Sequence, residues 1–147
     1  TYQTICIEDL SIAQLMKKAK DAYGNKRKRP LSKHIADASW GQIRTLIEYK
    51  VDASQHNWLI IAPREYPSTQ LCSCCRQRSR LRVELKDREW TCPHCGTHHD
   101  NRDANAAVNL EQLADYVMSV VPKGQLELAA QAGRCLDSKL VRQLLKL

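Results

Sequence analysis

Cys72-Ser-Cys-Cys75 and Cys92-Pro-His-Cys95 stand sixteen residues apart, and Asp100-Asn-Arg-Asp103-Ala-Asn-Ala-Ala-Val-Asn-Leu110 follows at once. A four-thiolate site needs four sulfurs at about 2.3 Å from one Zn²⁺, and each CxxC turn offers two from one tight knuckle. Two knuckles joined by a hairpin close a tetrahedron, so Cys72, Cys75, Cys92 and Cys95 read as ligands of a structural zinc. Such a site has no open coordination position; its task is to fold a segment whose own core is too small. A disulfide framework is the alternative. Seven cysteines, an odd number, and the absence of a signal peptide or an apolar spanning run favour a reducing, cytoplasmic setting instead. Cys6 and Cys135 then read as packed free thiols. Cys74 could replace Cys75, and His94, His98 and His99 lie near enough to compete. Cys75 is preferred because Cys72-Ser-Cys74 would form a cramped CxC.

Outward from the cysteines, the chain alternates strand and helix. Thr4-Ile-Cys-Ile7 is a short apolar run with β-branched residues that ends in Glu8-Asp9, as a buried strand of a parallel sheet would. Open α/β sheets place their ligands at that carboxyl edge. Ser11-Ile-Ala-Gln14 has the form of a capping box and predicts a brief helix. A second box, Ser39-Trp-Gly-Gln42, predicts a longer helix in which Trp40, Ile43, Ile47 and Val51 recur at helical spacing as core. Trp58-Leu-Ile-Ile-Ala62 is the next buried strand, bounded by Pro63, and a parallel pair with a right-handed crossover follows.

Beyond it, Arg80-Leu-Arg-Val-Glu-Leu-Lys86 alternates like a hairpin strand inside the cysteine module. From Ala104 a helix carries Ala106, Ala107, Leu110, Ala114 and Val117 on one face, until Pro122 and Gly124 stop it. Asp103 falls at its start, where a carboxylate is also an ordinary cap. Leu136, Leu140, Val141, Leu144 and Leu145 suit a terminal amphipathic helix. The predicted organisation is a core part over residues 1–66, a ribbon over 67–99, a closing helix over 100–121 and a tail over 122–147.

The chain has 147 residues and a net charge of +7, which points to an anionic partner. Between Lys17 and Lys33, eight basic residues face one acid, Asp21, an excess equal to the whole net charge. Gly24-Asn25 and Pro30 break helix there, so Lys17, Lys18, Lys20, Lys26, Arg27, Lys28 and Arg29 read as a mobile, phosphate-contacting loop. The plainer alternative is a solvated loop or a localisation signal. Few aromatic residues accompany it, so stacking on single-stranded bases is not indicated.

Ile7-Glu-Asp-Leu10, Asp37-Ala-Ser-Trp-Gly41, Tyr66-Pro-Ser-Thr69 with Cys72 and Cys75, and Asp103-Ala-Asn-Ala-Ala-Val-Asn109 together resemble the C-terminal half of the TnpB family. Those proteins are RNA-guided DNA endonucleases of insertion sequences, related to type V CRISPR effectors. The resemblance covers residues 3 to 118 in order. It implies an α/β chain: a partial RNase H-like (RuvC) domain with an inserted four-cysteine zinc ribbon. It also implies that Glu8 matches the second catalytic acid and Asp103 the third, with Cys72, Cys75, Cys92 and Cys95 as ribbon ligands. DNA, a guide RNA and catalytic Mg²⁺ are the implied partners and cofactor of a complete parent, in the cytoplasm of a prokaryote; no membrane is involved.

Two ions about 4 Å apart need several carboxylates to offset their repulsion. The family's first catalytic Asp has no counterpart here, so the lone chain is expected to bind that metal weakly and to cleave little or not at all. A cleavage-incompetent nucleic-acid-binding remnant and a docking half that joins a separate N-terminal half are the competing readings. Two departures from the family pattern stand out. Asn101 intervenes between Asp100 and Arg102, and Arg76 stands where a glycine usually follows the first knuckle, which predicts a turn that is either strained or differently shaped. Asp9, Asp37 and Asp100 read as caps or solvent-facing groups.

Overall fold

The computed structural model describes residues 3–11, 19–20, 26–27, 39–79 and 87–147. The predicted helix beyond Ser11, the hairpin strand from Arg80 to Lys86, and Asp37 lie outside them. Strand β1 (Thr4–Glu8) pairs in parallel with β4 (Trp58–Ala62), in the register Thr4 to Trp58 through Glu8 to Ala62. Helix α1 (Trp40–Ser54) precedes β4 in the chain, giving the expected strand, helix, strand order.

Side chains alternate across β4, and each face has its own core. Leu59 and Ile61 pack with Val51 of α1 and with Ile5 and Ile7 of β1. Ile60 and Ala62 face the other way, onto Leu113, Ala114 and Val117 of helix α2 (Arg102–Val120). An α/β/α layering results from the run Leu59-Ile-Ile-Ala62 being apolar on both faces.

Residues 122–147, expected as a tail with a terminal helix, are helical in two stretches and also add a strand to the sheet. Helix α3 (Lys123–Gln131) leads into strand β7 (Cys135–Leu136), which pairs in parallel with β4, and helix α4 (Ser138–Leu145) follows. The sheet order is β1-β4-β7. Leu136, expected in a helix, is a fully buried strand residue, while Val141 is buried on α4 and Leu140, Leu144 and Leu145 pack around it. A two-residue strand lies below any periodicity signal, which is why the alternation there went unseen.

Helix α1 differs from expectation in two ways. Ser39 takes a left-handed backbone, with φ 50°, and makes no side-chain cap, so the apparent capping box is not formed. Of the predicted core stripe only Val51 is fully buried; Trp40 is 40 % and Ile43 49 % exposed. Both line a cleft of about 500 Å³ with β1 and α2. Among the described residues β1 has a strand neighbour on one side only, so this apolar face of α1 is left without a covering strand.

Two further pairs of strands are short and antiparallel. Strands β2 (Ala19–Lys20) and β3 (Lys26–Arg27) pair Lys20 with Lys26, where a loop was expected throughout. Strands β5 (Trp90–Thr91) and β6 (His98–His99) belong to the cysteine module.

Candidate metal centre and acidic cleft

The two CxxC segments form matching knuckles. In the first, the Cys72 N–H donates to the Gln77 carbonyl at 3.1 Å and the Arg76 N–H to the Cys72 carbonyl at 2.8 Å. In the second, Cys92 donates to Thr97 and Gly96 to Cys92, both at 2.9 Å. These turns point both sulfurs of each knuckle inward. The four Sγ atoms of Cys72, Cys75, Cys92 and Cys95 all lie within 4.8 Å of one another. Across the knuckles, Cys72 to Cys95 is 3.6 Å and Cys75 to Cys92 is 3.7 Å. A tetrahedron with Zn–S bonds of about 2.3 Å has edges of about 3.8 Å, so the cluster could hold a metal such as zinc. Cys74 is exposed and outside the cluster.

His99 is next to the cluster but not part of it. Its Nε2 lies 3.2 Å from Cys72 Sγ, and its ring stacks on Trp90 at 4.6 Å. Burial, with His98 beside it, pushes its imidazole below the ordinary histidine value. The neutral tautomer with its proton on Nε2 can donate to the Cys72 sulfur, the kind of outer contact that fixes a thiolate ligand. The Thr97 hydroxyl and backbone hold the Cys95 thiol down at about 6, while burial and the neighbouring cysteine sulfurs push Cys75 up to about 12. Burial pushes Cys6 up to about 12 and raises Cys135, in keeping with packed free thiols.

Helix α2 ties the first knuckle to the sheet through amides that periodicity did not reveal. Asn109, fully buried, donates from Nδ2 to the Ser68 and Leu71 carbonyls, each at 2.8 Å. Asn105 donates to the Leu71 carbonyl at 2.7 Å and accepts from the Ser73 N–H at 3.0 Å; Gln112 donates to the Ser73 carbonyl at 3.0 Å. Asn105 and Asn109 stand four apart on the face shared with Ala106, Leu113 and Val117. That spacing of amides within an alanine face was the available signal.

Glu8 and Asp103, far apart in the chain, line the same cleft with Cys6, Trp40, Ile43 and Leu110. Glu8 ends β1, at the carboxyl edge of the parallel sheet. Its Oε1 accepts from the buried Ser68 hydroxyl at 2.6 Å. Asp103 lies in the first turn of α2, but the cap is Asn101, whose Oδ1 accepts from the Asp103 and Ala104 N–H groups at 2.9 and 3.1 Å. The intervening Asn101 thus relieves Asp103 of capping. Asp103 Oδ2 instead meets Arg88 at 3.1 Å and Oδ1 meets Arg102 at 3.3 Å. Among the described residues no group of three acids or histidines lies close enough together to hold an ion.

Asp9 is neither a cap nor solvent-facing. Its carboxylate meets Arg44 of α1 at 3.4 Å and Arg64 at 3.9 Å, and accepts from the Ser138 hydroxyl of α4 at 2.9 Å. Asp100 is exposed beside His98. Of the basic segment, Lys20, Lys26 and Arg27 are described as backbone in β2 and β3, and Lys17, Lys18, Lys28 and Arg29 lie outside the described residues. Among the described residues no helix is long and apolar enough to cross a membrane.

Residues 40–110, from α1 through both knuckles into α2, match the family described as Cas12f1-like, TNB domain. The chain is 40 % identical over 108 residues, 74 % of its length, to a Streptomyces pristinaespiralis protein named "Putative RNA-guided DNA endonuclease", of which this covers 23 %. A Mycobacterium tuberculosis (strain ATCC 25618 / H37Rv) protein named in the same way is 30 % identical over 124 residues, 84 % of this chain and 25 % of that protein. The chain spans about a quarter of the length of these curated relatives.

Proposed function

The chain belongs to a TnpB-like family, and from that premise we propose that it is the C-terminal, RuvC-like and zinc-ribbon portion of an RNA-guided, metal-dependent DNA endonuclease. Glu8 and Asp103 are two of its catalytic acids. The observation that carries this reading is their meeting in one cleft at the carboxyl edge of the sheet. Divalent metal, Mg²⁺ by the chemistry of oxygen donors, would supply activation of water and charge stabilisation at the scissile phosphate.

The residues divide the work. Glu8 and Asp103 present carboxylate oxygens to the cation, and Arg88 and Arg102 hold Asp103 in place until a cation competes for it. The cysteine cluster carries structural zinc and joins the second knuckle to the first, which the amides of α2 hold. Lys17, Lys18, Lys20, Lys26, Arg27, Lys28 and Arg29 supply phosphate contacts, to DNA or to the guide RNA. A further carboxylate is required, since two acids hold a pair of divalent ions poorly.

The test is plasmid cleavage by the product of the whole gene, purified with its RNA. Glu8→Gln and Asp103→Asn should each bring cleavage to background while DNA binding stays within about twofold. Cleavage by either variant at the unaltered rate removes that residue from the site. Binding without any cleavage by the unaltered protein would favour the nucleic-acid-binding remnant, and cleavage that appears only on adding a separately encoded N-terminal half would favour the split nuclease.

A further inference from the structure

Ser68 contributes nothing to the zinc cluster and is not an acid, yet it is 3 % exposed and spends its hydroxyl on one partner, Glu8 Oε1, at 2.6 Å. That distance belongs to the short, charge-assisted class of O–H···O⁻ bond. A glutamate at a cleft wall otherwise samples several rotamers, and ordering it costs side-chain entropy. Fixing Oε1 reduces that freedom before any cation arrives.

The segment that holds Ser68 is the one that delivers the first knuckle. Its turns are closed locally: the Ser68 N–H donates to the Tyr66 carbonyl at 2.9 Å and the Leu71 N–H to the Pro67 carbonyl at 3.0 Å. Asn109 then bridges the Ser68 and Leu71 carbonyls from α2, and Leu71 adjoins Cys72. A second tie comes from the far side of the knuckle, where the Ser79 N–H donates to the Gln70 carbonyl at 2.8 Å. Whatever orders Cys72 therefore orders Leu71, and through the Asn109 bridge it orders the backbone of Ser68.

We propose that Ser68 is the positioning residue of Glu8 and couples it to the cysteine cluster, so that metal loading of the knuckles sets the orientation of an acid in the cleft. This rests on the reading of Glu8 as a catalytic acid for its consequence, but the coupling itself is a property of the chain.

The experiment is ¹³C NMR of the Glu8 carboxyl carbon in the zinc-loaded and zinc-stripped chain, for the unaltered protein, Ser68→Ala and Ser68→Thr. In the unaltered chain, stripping should shift and broaden the Glu8 signal. In Ser68→Ala the signal should stand near the stripped position even with zinc bound, and stripping should move it little further. Ser68→Thr, which keeps the hydroxyl, should respond like serine, whereas a purely structural role would leave Thr and Ala alike. Unchanged methyl signals of Val117 and Val141 mark an intact core in each variant. A Glu8 signal in zinc-loaded Ser68→Ala that coincides with the unaltered one, or that moves as far on stripping, overturns the proposal. These outcomes do not depend on cleavage, so failure of the Glu8→Gln test would be told apart from failure of the coupling.

Discussion

Arg76 and Gly96 occupy the same place in the two knuckles, one residue past Cys75 and Cys95, and both have left-handed backbones, φ 62° and 74°. Glycine adopts this conformation without strain, and arginine does so at a cost of about 1 kcal/mol. In exchange, the Arg76 guanidinium reaches Gln112 Oε1 on α2 and the Tyr66 hydroxyl, the latter at 3.3 Å. The side chain clamps the first knuckle onto the helix that carries Asp103.

That exchange separates two substitutions. Arg76→Ala keeps the strain and loses the clamp; Arg76→Gly loses both. The glycine variant should therefore be the more stable by about 1 kcal/mol, read from denaturant midpoints of the zinc-loaded protein. Equal midpoints would mean that the backbone at Arg76 is not strained.

The thiols give a count that tests the metal centre. Cys74 is exposed, while Cys6 and Cys135 are held back by burial, and thiolate is the reactive form. Brief alkylation of the metal-loaded chain should label Cys74 alone. Chelation should expose Cys72, Cys75, Cys92 and Cys95, giving five adducts by intact mass, and Cys74→Ser should still bind metal where Cys75→Ser does not. Five adducts before chelation would mean that the cluster holds no metal.

Legibility followed the physics of each signal. The CxxC pairs and the runs Thr4–Glu8 and Trp58–Ala62 were readable because spacing and burial on both faces are local properties of the chain. Strand β7 was not, since two residues carry no period and Leu136 owes its burial to β4. Trp40 and Ile43 misled because helical spacing reports an apolar face without reporting what covers it. Asn101 read as an intrusion in a motif, yet its side chain is the α2 cap that leaves the Asp103 carboxylate for other partners. Asn105 and Asn109 carry no apolar signal, because amides within an alanine face count against a helix stripe, although a backbone turn without partners needs donors of that kind.

Asn109 should be the most sensitive polar position of α2. Its side-chain nitrogen satisfies two carbonyls in a fully buried place, while the Tyr66 hydroxyl donates to its backbone carbonyl at 3.1 Å. Asn109→Ala takes that donor from the Ser68 carbonyl and leaves the Leu71 carbonyl to Asn105, and should cost about 2–4 kcal/mol. Hydrogen exchange should localise the loss to residues 66–73 and α2 ahead of β4. A cost under about 1 kcal/mol would mean that water replaces the amide.

Glu8 and Asp9 are adjacent acids with opposite demands on them, and substitution should separate stability from chemistry. Asp9 joins Arg44 of α1, Arg64 after β4 and Ser138 of α4, so three elements meet on one partly buried carboxylate. Each ion pair is worth little alone, but the hydroxyl bond to a charged acceptor adds to them. Asp9→Ala should cost about 2 kcal/mol and loosen α4, seen as faster amide exchange at Leu140 and Val141. Glu8→Gln keeps a carbonyl oxygen for the Ser68 hydroxyl and loses only the charge that faces the cleft, so its unfolding midpoint should stay within about 0.5 kcal/mol of the unaltered chain. The reverse ranking, a stable Asp9→Ala and an unstable Glu8→Gln, would make Glu8 the structural acid of the pair and remove the ground for placing it in the chemistry.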